Sequence, residues 1–407
     1  MDPPTAEEAL AERLSDKAKR LKELRHSSKT KEKETVEEMA ALISTVKKDT
    51  CQLIIEHPLY AVAHDAHGKL WHSVYYKQIE TYRKSIVKHA AALKTADGES
   101  GQTVEEEEMV RRKTYFVRLV SAYTKFLSET MVFFQDMMLQ LEAALHKGSK
   151  NAESDSYIKS IHKCLLSLGD LARYKESVSE GKEKDYDVAY RYYERAAFLV
   201  PTSGNPQNQL AVLATYGQSE LVAVYHYCRS VLVAHPFSLG YTNLSTLFGK
   251  NERSYAQALR HGLENNEAGA PAGSSLRRQP SGSKNDNKIK VNLFLLQFIR
   301  LHARIFYWAA NKFQLLDTSK TAGTAEINVD EFAAEVHDMF NDFEVILTYL
   351  SDALLVRLII ICIYSVHESI PAPSRSEDQE KIVVRNRGPR TKGESLALII
   401  IYSFISR

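Results

Sequence analysis

Between Tyr157 and Phe237 the chain nearly repeats itself, and a repeat constrains a fold more tightly than composition does. Ala189, Tyr193, Ala196 and Pro201 set out a small residue, an aromatic, a second small residue and a terminating proline. About thirty-four residues further on, Ala223, Tyr227 and Ser230 again read small, aromatic, small, and the proline arrives one place late at Pro236. This is the period of a helix–turn–helix unit in which an aromatic of the second helix packs on small residues of the first. The first helix of the earlier unit is then the segment ending LLSLGDLARY, and SVSEGKEK (Ser177 to Lys184) lengthens the turn to its partner.

The rest of the chain agrees with an all-α fold. Its 407 residues are 44% hydrophobic, enough to bury a core, and alternating β-branched runs are few. The formal charge is +2 with 26% charged residues, so both signs are interspersed. That balance argues against a nucleic-acid binder working by bulk electrostatics, while leaving room for a local basic pocket. Cys51, Cys164, Cys228 and Cys362 are scattered through helical patterns with no C-x-x-C, which reads as free thiols in a reducing compartment. The apolar runs 353–366 and 396–405 are too short to span a bilayer, and the N-terminus is charged. The expectation is a soluble intracellular protein with no membrane partner.

Periodicity predicts helices over 6–25, 37–56, 69–96 and 108–147, the last a backbone on which others pack. His57, His64, His67 and His72 crowd a stretch that Pro58 and Gly68 mark as a loop. Without a cysteine among them they read as exposed loop histidines, not a metal site. Lys77 and Lys84, seven apart, share one helical face, with Arg83 one position before Lys84. By itself the pair is a solvated stripe. Arg173 sits three residues after Asp170, the spacing of a surface ion pair. Asn205 and Asn208 flank Pro206, where an asparagine caps a helix. From 265 to 287 the sequence collapses to Gly, Ala, Ser, Asn and Pro, a disordered linker. Helical periodicity resumes at Lys288 and again at 328–366, so the organisation expected is a helical domain over 6–264, a C-terminal helical hairpin over 288–370 and a largely mobile tail, 371–407. No Gly-rich phosphate loop, H-E-x-x-H, G-x-S-x-G or zinc spacing occurs, so neither catalytic residue nor cofactor is expected.

The words GDLARY (Gly169–Tyr174), YRYYERAAFLVPTSGNPQNQLAVLA (Tyr190–Ala214) and VYHYCRSVLVAHPF (Val224–Phe237) resemble the 14-3-3-like adaptors of nonsense-mediated mRNA decay. These form the SMG family, kin of the ever-shorter-telomeres proteins associated with telomerase, and NQLAVLA and YHYCRS look closest to its SMG-seven type. The dense resemblance covers about 157–237. It implies a 14-3-3-like helical domain with tetratricopeptide-like pairs. It also implies a phosphate pocket in which Lys77 and Lys84 supply charge and Arg173 and Tyr174 grip the phosphate. Asn208 would hold the peptide backbone. A phosphoserine carries about −1.5 to −2 charges and three acceptor oxygens, which suits a guanidinium fork backed by a hydroxyl and ammonium groups. The implied partners are the pathway's RNA helicase, phosphorylated at Ser/Thr-Gln segments, an SMG-five-type protein as heterodimer, and the decay and phosphatase machinery. The implied location is the cytoplasm, with shuttling to the nucleus left open. The rival readings are a telomerase-associated RNA or single-strand binder, and a scaffold whose phosphate pocket is vestigial.

Overall fold

The computed structural model describes residues 5–26, 32–97, 106–147, 151–181, 183–267, 284–312, 329–340 and 346–369. Most of the linker read at 265–287, the tail 371–407 and its final apolar run lie outside those residues. The chain forms two compact units, Met1–Pro201 and Thr202–Arg407. Among the described residues there is no strand, and the fold class is all-α, as expected.

In the first unit α1 (Ala6–His26) and α2 (Lys33–Glu56) bring Leu10, Leu21 and Leu24 together with Val46, Leu53 and Ile54, all buried. The histidine-rich stretch that follows is helical, which corrects its reading as a loop. Pro58 opens α3 (Pro58–Ala63) from its first turn, where a missing N–H costs nothing. Asp65 is held in the left-handed region at φ 49° and accepts the Gly68 N–H at 3.3 Å, capping α4 (Ala66–Leu70). His67 is therefore buried, with Nε2 3.3 Å from Ser167 Oγ, rather than exposed.

The helix expected from Lys69 to Ala96 runs on, with a difference. Trp71–Tyr76 is wound as a π-helix before α5 (Lys77–Asp97) begins. Widening a turn loosens its own carbonyls, and Arg25 of α1 donates to two of them, Ser73 O and Val74 O. The long α6 (Glu106–His146) supplies Tyr123, Leu127, Phe134 and Leu141, all fully buried, and α7 (Asn151–Ser177) and α8 (Asp187–Leu199) complete the unit. Between α7 and α8 the repeat contact is literal. A Cβ added at Gly169 would lie 2.4 Å from the Tyr193 ring, so only glycine lets that ring lie against the helix. Ala189, Tyr193 and Ala196 are all buried.

The second unit opens on the next helix pair, α9 (Asn205–Tyr216) and α10 (Glu220–Val231), with Ala223, Tyr227 and Ser230 buried in their turn. A Cβ at Gly204 would fall 2.1 Å from Ser230 O, which fixes that residue as glycine too. His235 and Thr202 to Gly204 pair through backbone hydrogen bonds, Gly204 N–H to His235 O and His235 N–H to Thr202 O, each 2.9 Å. Around them α11 (Gly240–Glu267), α12 (Lys284–Lys312), α13 (Val329–Met339) and α14 (Asp352–Ser369) bury Phe248, Phe298, Phe332 and Tyr364. Cys164, Cys228 and Cys362 are buried free thiols and Cys51 is half-buried. No described helix is long and apolar enough to cross a membrane.

Three interior histidines give the fold an acid limit. Burial drives the folded-state pKa of His67, His226 and His302 down to about 3 from 6.5. A depressed folded pKa contributes stability that is whole above the unfolded value and is lost as pH falls through the window from 6.5 towards 3. At pH 5 each buried histidine should cost about 2 kcal/mol. Urea midpoints measured from pH 7.5 down should therefore hold to about pH 6.5 and then fall steadily, well before carboxylates titrate.

Candidate functional site

The site is built where α7 meets α8 and α5. Asp170, Arg173 and Tyr193 form a closed triangle. Tyr193 OH donates to Asp170 Oδ1 at 2.6 Å, Arg173 Nη2 donates to the same oxygen at 2.8 Å, and Arg173 Nε donates to Tyr193 OH at 3.2 Å. All three are buried or nearly so, with Arg173 8% exposed. Burial works against the Arg173 charge, yet Tyr193, Asp170 and Tyr174 outweigh it and raise its pKa. Burial, then Asp170, pushes the Tyr174 hydroxyl up to about 12 and raises the Tyr193 hydroxyl well above its ordinary value, so both are neutral at any physiological pH.

The triangle fixes where Arg173 can lie, and its guanidinium carbon rests 4.6 Å from the Tyr174 ring centroid. A second guanidinium shares that ring. Arg83 of α5 stands 4.9 Å from the same centroid. Arg173 is neutralised by Asp170, whereas Arg83 meets no carboxylate within ion-pair distance among the described residues. Arg83 is thus the uncompensated charge of the two, and an anion beside it would supply the missing counter-charge. Beside the two arginines the Tyr123 hydroxyl is buried and has no hydrogen-bond partner among the described residues, with Arg83 and Arg173 among the charges it feels. A cluster of two guanidiniums and an unpaired hydroxyl is equipped to hold a tetrahedral dianion.

The residues singled out from the sequence divide accordingly. Arg173 and Tyr174 are together, and the Asp170 pair that competed with the pocket reading is present as well. Lys84 is exposed and bridged to Glu80 at 2.8 Å. Lys77 lines a groove beside Arg25 and Lys47. The cation that does meet Tyr174 is Arg83. A step of about 100° around the helix takes it off the Lys77–Lys84 stripe and towards the side of Ile79, which is fully buried. Asn208 belongs to the second unit, buried, and its Oδ1 accepts from Asn243 Nδ2 at 2.8 Å. Neither Asn205 nor Asn208 caps α9, a correction to that reading. Gly204 takes the N-cap place without a side chain, and the buried Asn205 Oδ1 is left without a partner. No cluster of three metal-ligating side chains occurs among the described residues.

The triangle makes a sharp stability statement. Removing one partner of a buried pair leaves the other charge uncompensated, at a cost of about 3–5 kcal/mol. Arg173→Met should lower the unfolding free energy by about that much, while Arg173→Met with Asp170→Leu should recover most of the loss. Urea unfolding of the two variants measures both.

Residues 189–407 match the family described as the Est1 DNA/RNA binding domain, and residues 65–179 match the telomerase activating protein Est1. The chain is 32% identical over 234 residues to the nonsense-mediated mRNA decay factor SMG7 of Arabidopsis thaliana, covering 53% of this chain and 21% of that protein. To the telomerase-binding protein EST1A of Danio rerio it is 27% identical over 262 residues, 64% of this chain and 16% of that one. The nonsense-mediated mRNA decay factor SMG5 of Homo sapiens is 23% identical over 364 residues, 83% of this chain and 32% of that protein. The chain thus spans about a fifth of the length of the first of these relatives. Among solved structures, the crystal structure of Est1 and Cdc13 aligns at a TM-score of 0.56 and 15% identity, over 96% of this chain and 69% of that one, a likeness of fold.

Proposed function

The chain belongs to the Est1 family, and on that premise we propose that it is a phosphoserine/threonine-peptide-binding adaptor of nonsense-mediated mRNA decay. The observation that carries the reading is the pair of guanidiniums on the Tyr174 ring, of which, among the described residues, Arg173 alone is paired with a carboxylate. A phosphate dianion entering there meets Arg83 first, with Arg173 and Tyr174 behind it and the free Tyr123 hydroxyl alongside. Lys84 lies one residue past Arg83 on a flexible stem and adds charge at the rim, and Lys77 lies two turns before it. The protein acts by binding, not by catalysis. Its ligand is the phosphorylated Ser/Thr-Gln segment of the pathway's RNA helicase, and its assembly is a heterodimer with an SMG-five-type protein that brings in the decay and phosphatase machinery, in the cytoplasm. The decay factors among its relatives support this assignment.

A second reading, a telomerase-associated nucleic-acid binder, draws on the description of the matched family domain. The near-neutral charge of the chain gives such binding little bulk attraction to a phosphate backbone.

Fluorescence polarisation with a phosphoserine-glutamine peptide, its unphosphorylated twin and a single-stranded RNA separates the readings. The phosphopeptide alone should bind well. Arg83→Gln removes charge-assisted bonds worth about 1.5–3 kcal/mol, so phosphopeptide affinity should fall by about tenfold to a hundredfold with little change in melting temperature. Equal binding of the two peptides, or tight binding of the RNA alone, contradicts the assignment.

A further inference from the structure

A second group of cations in the first unit lies away from the Tyr174 ring. Arg25 at the end of α1, Lys47 on α2 and Lys77 at the start of α5 line one groove of about 810 Å3, with Ile43 and Phe126 among its apolar walls. Arg25 and Lys47 are half-buried, and burial lowers the pKa of each. Among the described residues neither meets a carboxylate within ion-pair distance. The acid that lines the groove, Glu80, is engaged by Lys84, and Glu129, whose field reaches Lys47, lies 3.9 Å from Lys125.

A partly buried cation without a counter-ion is a cost to the fold, and the groove keeps two of them in place by other means. Arg25 is pinned by the carbonyls of Ser73 and Val74 in the π-helical turn. The Lys47 ammonium stands 5.0 Å from the Tyr75 ring centroid and 5.5 Å from that of Phe133. Under it the Tyr75 hydroxyl is fully buried and has no hydrogen-bond partner among the described residues. A desolvated charge held over aromatic rings beside an unpaired hydroxyl is arranged for an anion that arrives from outside.

We propose that this groove between α1, α2, the π-helical turn and α5 is a second binding site, for an acidic peptide segment of a protein partner that also carries an apolar side chain. The chemistry selects the ligand class. The Arg25 fork is already spent on backbone carbonyls, which leaves ammonium groups as the free cations, point charges that suit carboxylates. A nucleobase finds no platform, because Tyr75 is enclosed. Ile43 and Phe126 give the apolar side chain a wall to rest on. Lys77 is shared with the phosphate reading, but Lys47 and Arg25, which carry this site, play no part in that reading.

The test uses the full chain and a fluorescein-labelled peptide alternating glutamate with leucine, beside its glutamine–leucine twin and a poly-uridine strand. The acidic peptide should bind at least about tenfold more tightly than its twin, and the preference should shrink as salt rises. Lys47→Met keeps the length of the side chain and removes its charge. It should abolish the preference, leave phosphopeptide affinity as in the parent protein, and hold or raise the melting temperature. Equal binding of the two peptides overturns the proposal. So does poly-uridine binding that Lys47→Met abolishes, and so does a Lys47→Met protein that melts lower while keeping its preference, which would make Lys47 a structural cation–π residue.

Discussion

The candidate phosphate site in the first unit rests on the contact between Gly169 on α7 and Tyr193 on α8. The missing side chain at Gly169 lets the ring lie against the helix. With the ring there, the phenol reaches Asp170 and Arg173 and closes the triangle. One close approach therefore does two jobs. It docks the second helix of the repeat on the first, and it sets the direction of the buried guanidinium. An arginine with four rotatable bonds left to itself would offer an anion a diffuse target, whereas this one is held by two partners and a ring. The repeat and the candidate pocket are the same packing event seen from two sides.

The helix α5 and the π-helical turn before it carry two different cationic surfaces. Arg83 faces Tyr174, and Lys77 belongs to the groove with Arg25 and Lys47. The widened turn and the arginine that braces it set the register of everything that follows, which decides which residues of α5 meet α7. A turn tightened back to α-helical winding would rotate Arg83 away from the tyrosine.

Much of this was legible in the sequence, and the reasons are specific. The spacing of Ala189, Tyr193 and Ala196 encodes a contact between neighbouring helices, so the repeat could be read before its geometry was known. The GDLARY word placed Arg173 and Tyr174, and the offset of Asp170 exposed the ion pair. Arg83 was hidden by a neighbour. Seven-residue spacing drew attention to Lys77 and Lys84, and nothing local says which face of α5 turns inward, apart from the apolar Ile79 four residues before Arg83. The histidine-rich stretch misleads because a proline and a glycine, Pro58 and Gly68, look like helix breakers there. Pro58 sits at a first helical position and Asp65 precedes Gly68 by the three residues of a cap, and these two signals could have marked short helices. The bracing of the π-helical turn by Arg25 joins residues 48 and 49 positions apart, and no local pattern announces it.

The central claim is that Tyr193, fully enclosed and out of reach of any ligand, aims the arginine that binds phosphate. The direct measurement is the affinity of Tyr193→Phe for a phosphoserine peptide and for its unphosphorylated twin, at a temperature where the variant is folded. Loss of one hydroxyl frees Arg173 from one of its two side-chain partners, so the account predicts phosphopeptide binding weaker by about tenfold, about 1.4 kcal/mol, with the twin unchanged. A variant that is less stable but binds the phosphopeptide as the parent does would contradict it, and would reduce the triangle to a device for packing two helices.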